Sequence, residues 1–128
     1  MTSVLDASAV LALLFDEPGA DQVRAHVAEG LIGVANLAET LAKLVDRGLP
    51  PAEAAQAVTI LGMQIVPFTD AQARTSAALR PATRAAGLSL GDRACLALAL
   101  ERGLPAVTAE RRWSEIAEAV GVTVEVIR

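Results

Sequence analysis

Asp6, Glu39, Asp92 and Glu110 are the residues whose type and spacing suit chemistry in this sequence. Asp6 lies inside SVLDASAVLALLF, an acid between two apolar runs. An unpaired charge among core residues is expensive, so its position needs a reason. Glu39 falls one helical turn after a second apolar run, Asp92 opens the apolar stretch GDRACLALAL, and Glu110 directly follows AVTA. Each has an ordinary explanation. Asp6 suits a helix cap. Asn36-x-x-Glu39 and Ser89-x-x-Asp92 suit capping boxes, with Asn36 and Ser89 as the caps. Glu110 suits the first turn of a helix, where negative charge is favoured.

Taken together the four acids suggest one site. Ligands of open parallel sheets bind beyond the carboxyl ends of the strands, and Asp6, Glu39 and Glu110 all follow strand-like runs. Two unit charges about 4 Å apart repel by about 4 kcal/mol at an effective dielectric near 20. Converging carboxylates must therefore protonate or hold a cation. An all-oxygen set selects Mg²⁺ or Mn²⁺. One histidine and one cysteine cannot build a zinc site. A divalent ion held by carboxylates suits hydrolysis of a phosphodiester. Ser8 and Thr108 are supporting residues, able to hydrogen-bond a carboxylate. Arg93 is a candidate contact for the scissile phosphate, and Arg80, Arg84, Arg111 and Arg112 for the path of a nucleic-acid chain.

The elements that must position these groups follow from the hydrophobic pattern. Short buried strands are expected at 3–5, 32–34, 64–68, 106–108 and 123–126. Helices are expected at 7–15, 20–29, 36–47, 51–61, from the Thr69-Asp70 cap to about 79, at 91–102 and at 111–120, with Pro81 bending or ending the fifth of them. Strands alternating with helices mean an α/β fold with a mainly parallel central sheet. The two RGLP tetrads are helix stops, Gly followed by Pro, rather than a repeat. His26 reads as a surface residue, Cys95 as buried, and Trp113 as core or interface.

Composition narrows the classes. At 128 residues the chain suits one domain with a real core. A net charge of −4 argues against coating nucleic acid by bulk charge. Aromatics at 2% leave almost no platform for stacking bases. A single cysteine suits a reducing, cytoplasmic setting. The apolar stretch 9–15 is too short for a membrane span and lacks the flanks of a signal peptide.

VLDASAVLALL, NLAETLAKL, LSLGDRACLALAL and VTAERRW, in this order, resemble a PIN-domain ribonuclease of the VapC toxin type. The resemblance runs from about residue 3 to residue 115. It implies a PIN-like three-layer α/β/α sandwich, with residues 1–128 as one nuclease domain, and a Mg²⁺- or Mn²⁺-dependent endoribonuclease. It places Asp6, Glu39 and Asp92 at the catalytic, metal-binding positions. It also implies a homodimer and a VapB-like antitoxin. Where the family carries Asp in its TAD motif, this chain has Glu110, whose carboxylate sits farther out by about 1.5 Å, one carbon–carbon bond. Two competing readings are a receiver-like phosphoacceptor domain, with Asp70 as acceptor, and a non-catalytic PIN-like binding module.

Overall fold

The computed structural model describes residues 2–128. Five strands form one parallel sheet: β1 (Val4–Leu5), β2 (Leu31–Gly33), β3 (Gln64–Val66), β4 (Ala106–Thr108) and β5 (Val124–Val126), in the order β3-β2-β1-β4-β5. Eight helices connect them among the described residues: α1 (Ala7–Leu14), α2 (Ala20–Val27), α3 (Val34–Asp46), α4 (Pro51–Thr59), α5 (Asp70–Ala78), α6 (Arg80–Thr83), α7 (Leu90–Arg102) and α8 (Trp113–Val120).

Alternation along the strands makes three layers. Val4, Leu31 and Ala106 face one way and join Cys95, Leu96, Leu98 and Trp113 of α7 and α8 in one buried core. Their neighbours Leu5, Ile32 and Val107 face the other way and pack with Ala9, Val10 and Val23 of α1 and α2. β1 and β4 are buried on both faces and read as short apolar runs, whereas the edge strands β3 and β5 are partly exposed and carry Gln64 and Glu125. A smaller cluster around Leu44, Ala54 and Val58 closes the α3–α4 pair.

β1 is central, paired through Val4 with Leu31 of β2 and through Val4 and Leu5 with Ala106 and Val107 of β4. The chain leaves β1 toward β2 and returns later to β4 on its other side. The order therefore reverses beside β1, and the crevice beyond that point is where open α/β sheets take ligands.

Several boundaries differ from the sequence reading. α3 starts at Val34 instead of residue 36, with Gly33 as its extended N-cap and no side-chain cap. Asn36 is thus interior, and the capping box assigned to Asn36 and Glu39 does not form; the Asn36 side chain bonds to other elements instead. Pro81 does not simply end α5. It sits in the first turn of the short helix α6, a position that tolerates its missing N–H. β3 stops at Val66, two residues short of the expected end. No helix among the described residues is long and apolar enough to cross a membrane.

Candidate active site

The four acids come from four different elements and line one cavity of about 210 Å³. Ala7, Ser8, Leu11, Asn36 and Lys43 complete its wall. Asp6 is the turn from β1 into α1. Its backbone is extended, and one carboxylate oxygen caps α1 by accepting from Ala9 N–H at 2.9 Å. The cap explanation for Asp6 is therefore correct, and it coexists with a place in the cavity.

Asp6 is 2% exposed, and its partners are neutral. Thr108 Oγ1 donates to Oδ2 at 2.6 Å, and Ser8 Oγ approaches both carboxylate oxygens at 2.8 and 2.9 Å. Ser8 Oγ in turn accepts from Ala109 N–H at 2.9 Å, and Thr108 Oγ1 accepts from Glu110 N–H at 3.0 Å. Each hydroxyl has one proton to give. Thr108 makes the short bond to Asp6, and Ser8 Oγ lies within hydrogen-bond distance of both Asp6 and Thr108 Oγ1, the latter at 3.2 Å. Among the described residues no cation is within salt-bridge distance of Asp6. Burial pushes its pKa up from 3.8 to about 7 against these hydrogen bonds, and the charge of Asp92 pushes the same way.

Asp92 sits in the first turn of α7, and its capping box is real. Ser89 N–H donates to Asp92 Oδ2 at 2.8 Å, and Asp92 N–H donates to Ser89 Oγ at 3.2 Å. One oxygen is committed to the cap, which fixes the side chain and leaves the other for the cavity. Glu39 projects from the middle of α3, an exposed residue whose carboxylate lies against Gly91 of α7. Its pKa is raised by burial of the carboxylate and by Asp92, and lowered by Lys43 one turn along the same helix. Glu110 is half-exposed at the rim. Arg112 stands between it and Asp92, with Nε 3.8 Å from Glu110 Oε2 and Nη2 3.8 Å from Asp92 Oδ2. Among the described residues no three His, Cys, Asp or Glu side chains are already drawn into a metal cage. The acids are spaced around the cavity.

Asn36 and Lys43 belong to the cavity although the sequence reading gave neither a role there. Asn36 is buried. Its Oδ1 accepts from Ala7 N–H and its Nδ2 donates to Gly91 C=O, each at 3.1 Å, tying the starts of α1 and α7 to α3. These partners are 29 and 55 residues away, so no local pattern announces them. Lys43 had a weak signal, its i+4 spacing from Glu39.

Arg93 is a correction. It turns away from the acids, and its guanidinium donates to Ser76 C=O of α5 at 3.1 Å. One step along a helix rotates a side chain by roughly 100°, so a neighbour of Asp92 faces another element. Arg80 and Arg84 are exposed on and just after α6. Arg111, Arg112 and Arg128 line a separate groove that touches the acid cavity at Glu110. Trp113 is wholly buried and serves the core. Cys95 is buried one turn below Asp92; burial first, then the acids, raise its thiol pKa well above the usual value. His26 is better connected than a surface residue, with Nδ1 3.2 Å from Ser3 Oγ and Nε2 3.0 Å from Glu125 Oε2. Asp70, the acceptor required by the receiver reading, is exposed and pairs with Arg74 at 3.0 Å. It does not line the acid cavity.

Residues 3–119 match the PIN domain family. The fold agrees. A toxin–antitoxin complex from Klebsiella pneumoniae contains a chain similar to this one at 19% identity, with a TM-score of 0.75 and 98% of each chain covered. VapBC2 from Rickettsia felis, bound to a promoter DNA fragment, is similar at 17% identity and TM-score 0.74, with 100% of each chain covered. VapC20 from Mycobacterium tuberculosis, a toxin that cleaves the sarcin–ricin loop, is similar at 14% identity and TM-score 0.71, over 90% of this chain and 94% of that one. No curated protein sequence matches. The chain belongs to the PIN domain family.

Proposed function

We propose that this chain is a divalent-metal-dependent endoribonuclease, the toxin of a toxin–antitoxin pair, acting as one nuclease domain over residues 1–128. The carrying observation is the convergence of Asp6, Glu39, Asp92 and Glu110 on one cavity at the switch point of a parallel sheet. The family match and the VapBC-type neighbours support it.

The residues fit a hard cation. The donors are all carboxylate oxygens, and Asp6 is a buried acid with a raised pKa and no cationic partner among the described residues. That is the environment an ion relieves. Asp6, Asp92 and Glu39 would hold Mg²⁺ or Mn²⁺, with Glu110 outermost. When bound, such an ion lowers the pKa of its water and offsets charge growing on the phosphodiester. The chain's own residues prepare the site. Thr108 and Ser8 orient the Asp6 carboxylate and favour its charged form. Ser89 fixes one oxygen of Asp92. Arg112 places a guanidinium beside the acids, a group suited to a phosphate oxygen.

The antitoxin, a homodimer and a cytoplasmic setting complete the proposal. VapBC complexes among the structural neighbours support a VapB-like partner. The test is incubation of purified protein with RNA and Mn²⁺, with and without EDTA. Metal-dependent cleavage supports the reading. Intact RNA with an unchanged melting temperature in Mn²⁺ favours a non-catalytic binding module. A stable aspartyl-phosphate from a small phosphodonor favours a receiver.

A further inference from the structure

Gly91 occupies the second position of α7, with no positive φ to require glycine there. Glycine in a helix is less favourable than alanine, so its presence needs another cause. The surroundings supply one. A Cβ at position 91 would overlap Glu39 Oε1 outright and lie 2.7 Å from Glu39 Cδ, and the third-nearest atom is Glu39 Oε2 at 3.3 Å. All three are the tip of one flexible side chain. The three atoms nearest that Cβ all belong to the Glu39 carboxylate.

The turn carrying Gly91 is also locked in place. Asn36, buried and one turn before Glu39 on α3, donates to Gly91 C=O at 3.1 Å and accepts from Ala7 N–H at 3.1 Å. α7 cannot back away from α3 without breaking a buried hydrogen bond and leaving its polar groups unpaired. We infer that Gly91 is a positioning residue: its bare Cα is the seat that holds the Glu39 carboxylate beside Asp92 in the acid cavity, and Asn36 locks that seat. This rests on the ribonuclease reading, in which Glu39 helps to hold the ion.

The test is a double-mutant cycle of Gly91→Ala and Glu39→Ala, measured three ways: melting in EDTA, Mn²⁺ affinity by calorimetry, and RNA cleavage at saturating Mn²⁺. Gly91→Ala is expected to melt no lower than wild type, because the three atoms nearest the new methyl group belong to the flexible Glu39 tip. Its Mn²⁺ affinity and cleavage rate are expected to fall roughly tenfold or more, the usual scale for losing a ligand's support. In the Glu39→Ala background the same substitution is expected to change neither. Wild-type affinity and cleavage in Gly91→Ala would overturn the inference. So would an equal loss in the Glu39→Ala background, or a collapsed fold, since either means that the new methyl group meets something else. A wild-type chain that neither binds Mn²⁺ nor cleaves RNA removes the ribonuclease reading itself, and the seat with it.

Discussion

Asp6 is where folding and chemistry compete. Its pKa lies near 7 in the folded chain and near 3.8 when free of the fold. Below the lower value both states are protonated and the group is neutral to stability. Between the two, only the unfolded state gives up its proton, so stability falls as pH rises, and above the folded value the loss is complete. In EDTA the wild-type melting temperature should therefore decline from about pH 4 to pH 7 and then level off. Glu39, also raised, adds to the same trend. Asp6→Asn should flatten that decline, melt higher than wild type at pH 8, and cleave no RNA. Wild-type cleavage by Asp6→Asn would remove Asp6 from the site. At the rim, Glu110→Asp should cleave at least as well as wild type, because Glu110 is half-exposed and its contact with Arg112 is long. A large loss would show that the longer side chain is needed to reach the ion.

At the level of elements, helix starts do most of the placing. α1 begins on Asp6, α7 begins on the Ser89–Asp92 box, and α3 carries Glu39 between them. Ser89→Ala should lower stability by about 1 kcal/mol in a denaturant melt, the usual worth of such a cap. It should also weaken cleavage by releasing Asp92; unchanged stability would mean the cap is not made in solution. Caps and alternation were readable in sequence, which is why the parallel sheet and the positions of Asp6, Asp92 and Glu110 could be anticipated. Asn36 was readable only as a local cap, since its true partners, Ala7 and Gly91, are brought near by the tertiary fold. Gly91 passed unnoticed for the same reason, its neighbour being Glu39 on another helix. Arg93 misled because adjacency in sequence is not adjacency on a helix face. His26 misled because its partners, Ser3 and Glu125, lie at opposite ends of the chain.

For the whole molecule, the acidic balance limits how the RNA of the proposed reaction would be held. A chain of net charge −4 has little bulk attraction for a polyanion. Its local basic groups near the cavity are Arg111, Arg112 and Arg128 in one groove and Lys43 in the wall. Three phosphate contacts correspond to a log–log salt slope of about −2 for single strands. A slope steeper than about −4 would require contacts far beyond this groove. The account stands most directly on one comparison, cleavage of a single-stranded RNA by wild type and by Asp92→Asn across a Mn²⁺ titration. It predicts cleavage by the wild type that rises with Mn²⁺ and vanishes in EDTA, and none by Asp92→Asn, which still folds. Equal cleavage by the two proteins, or cleavage that ignores the metal, would contradict it.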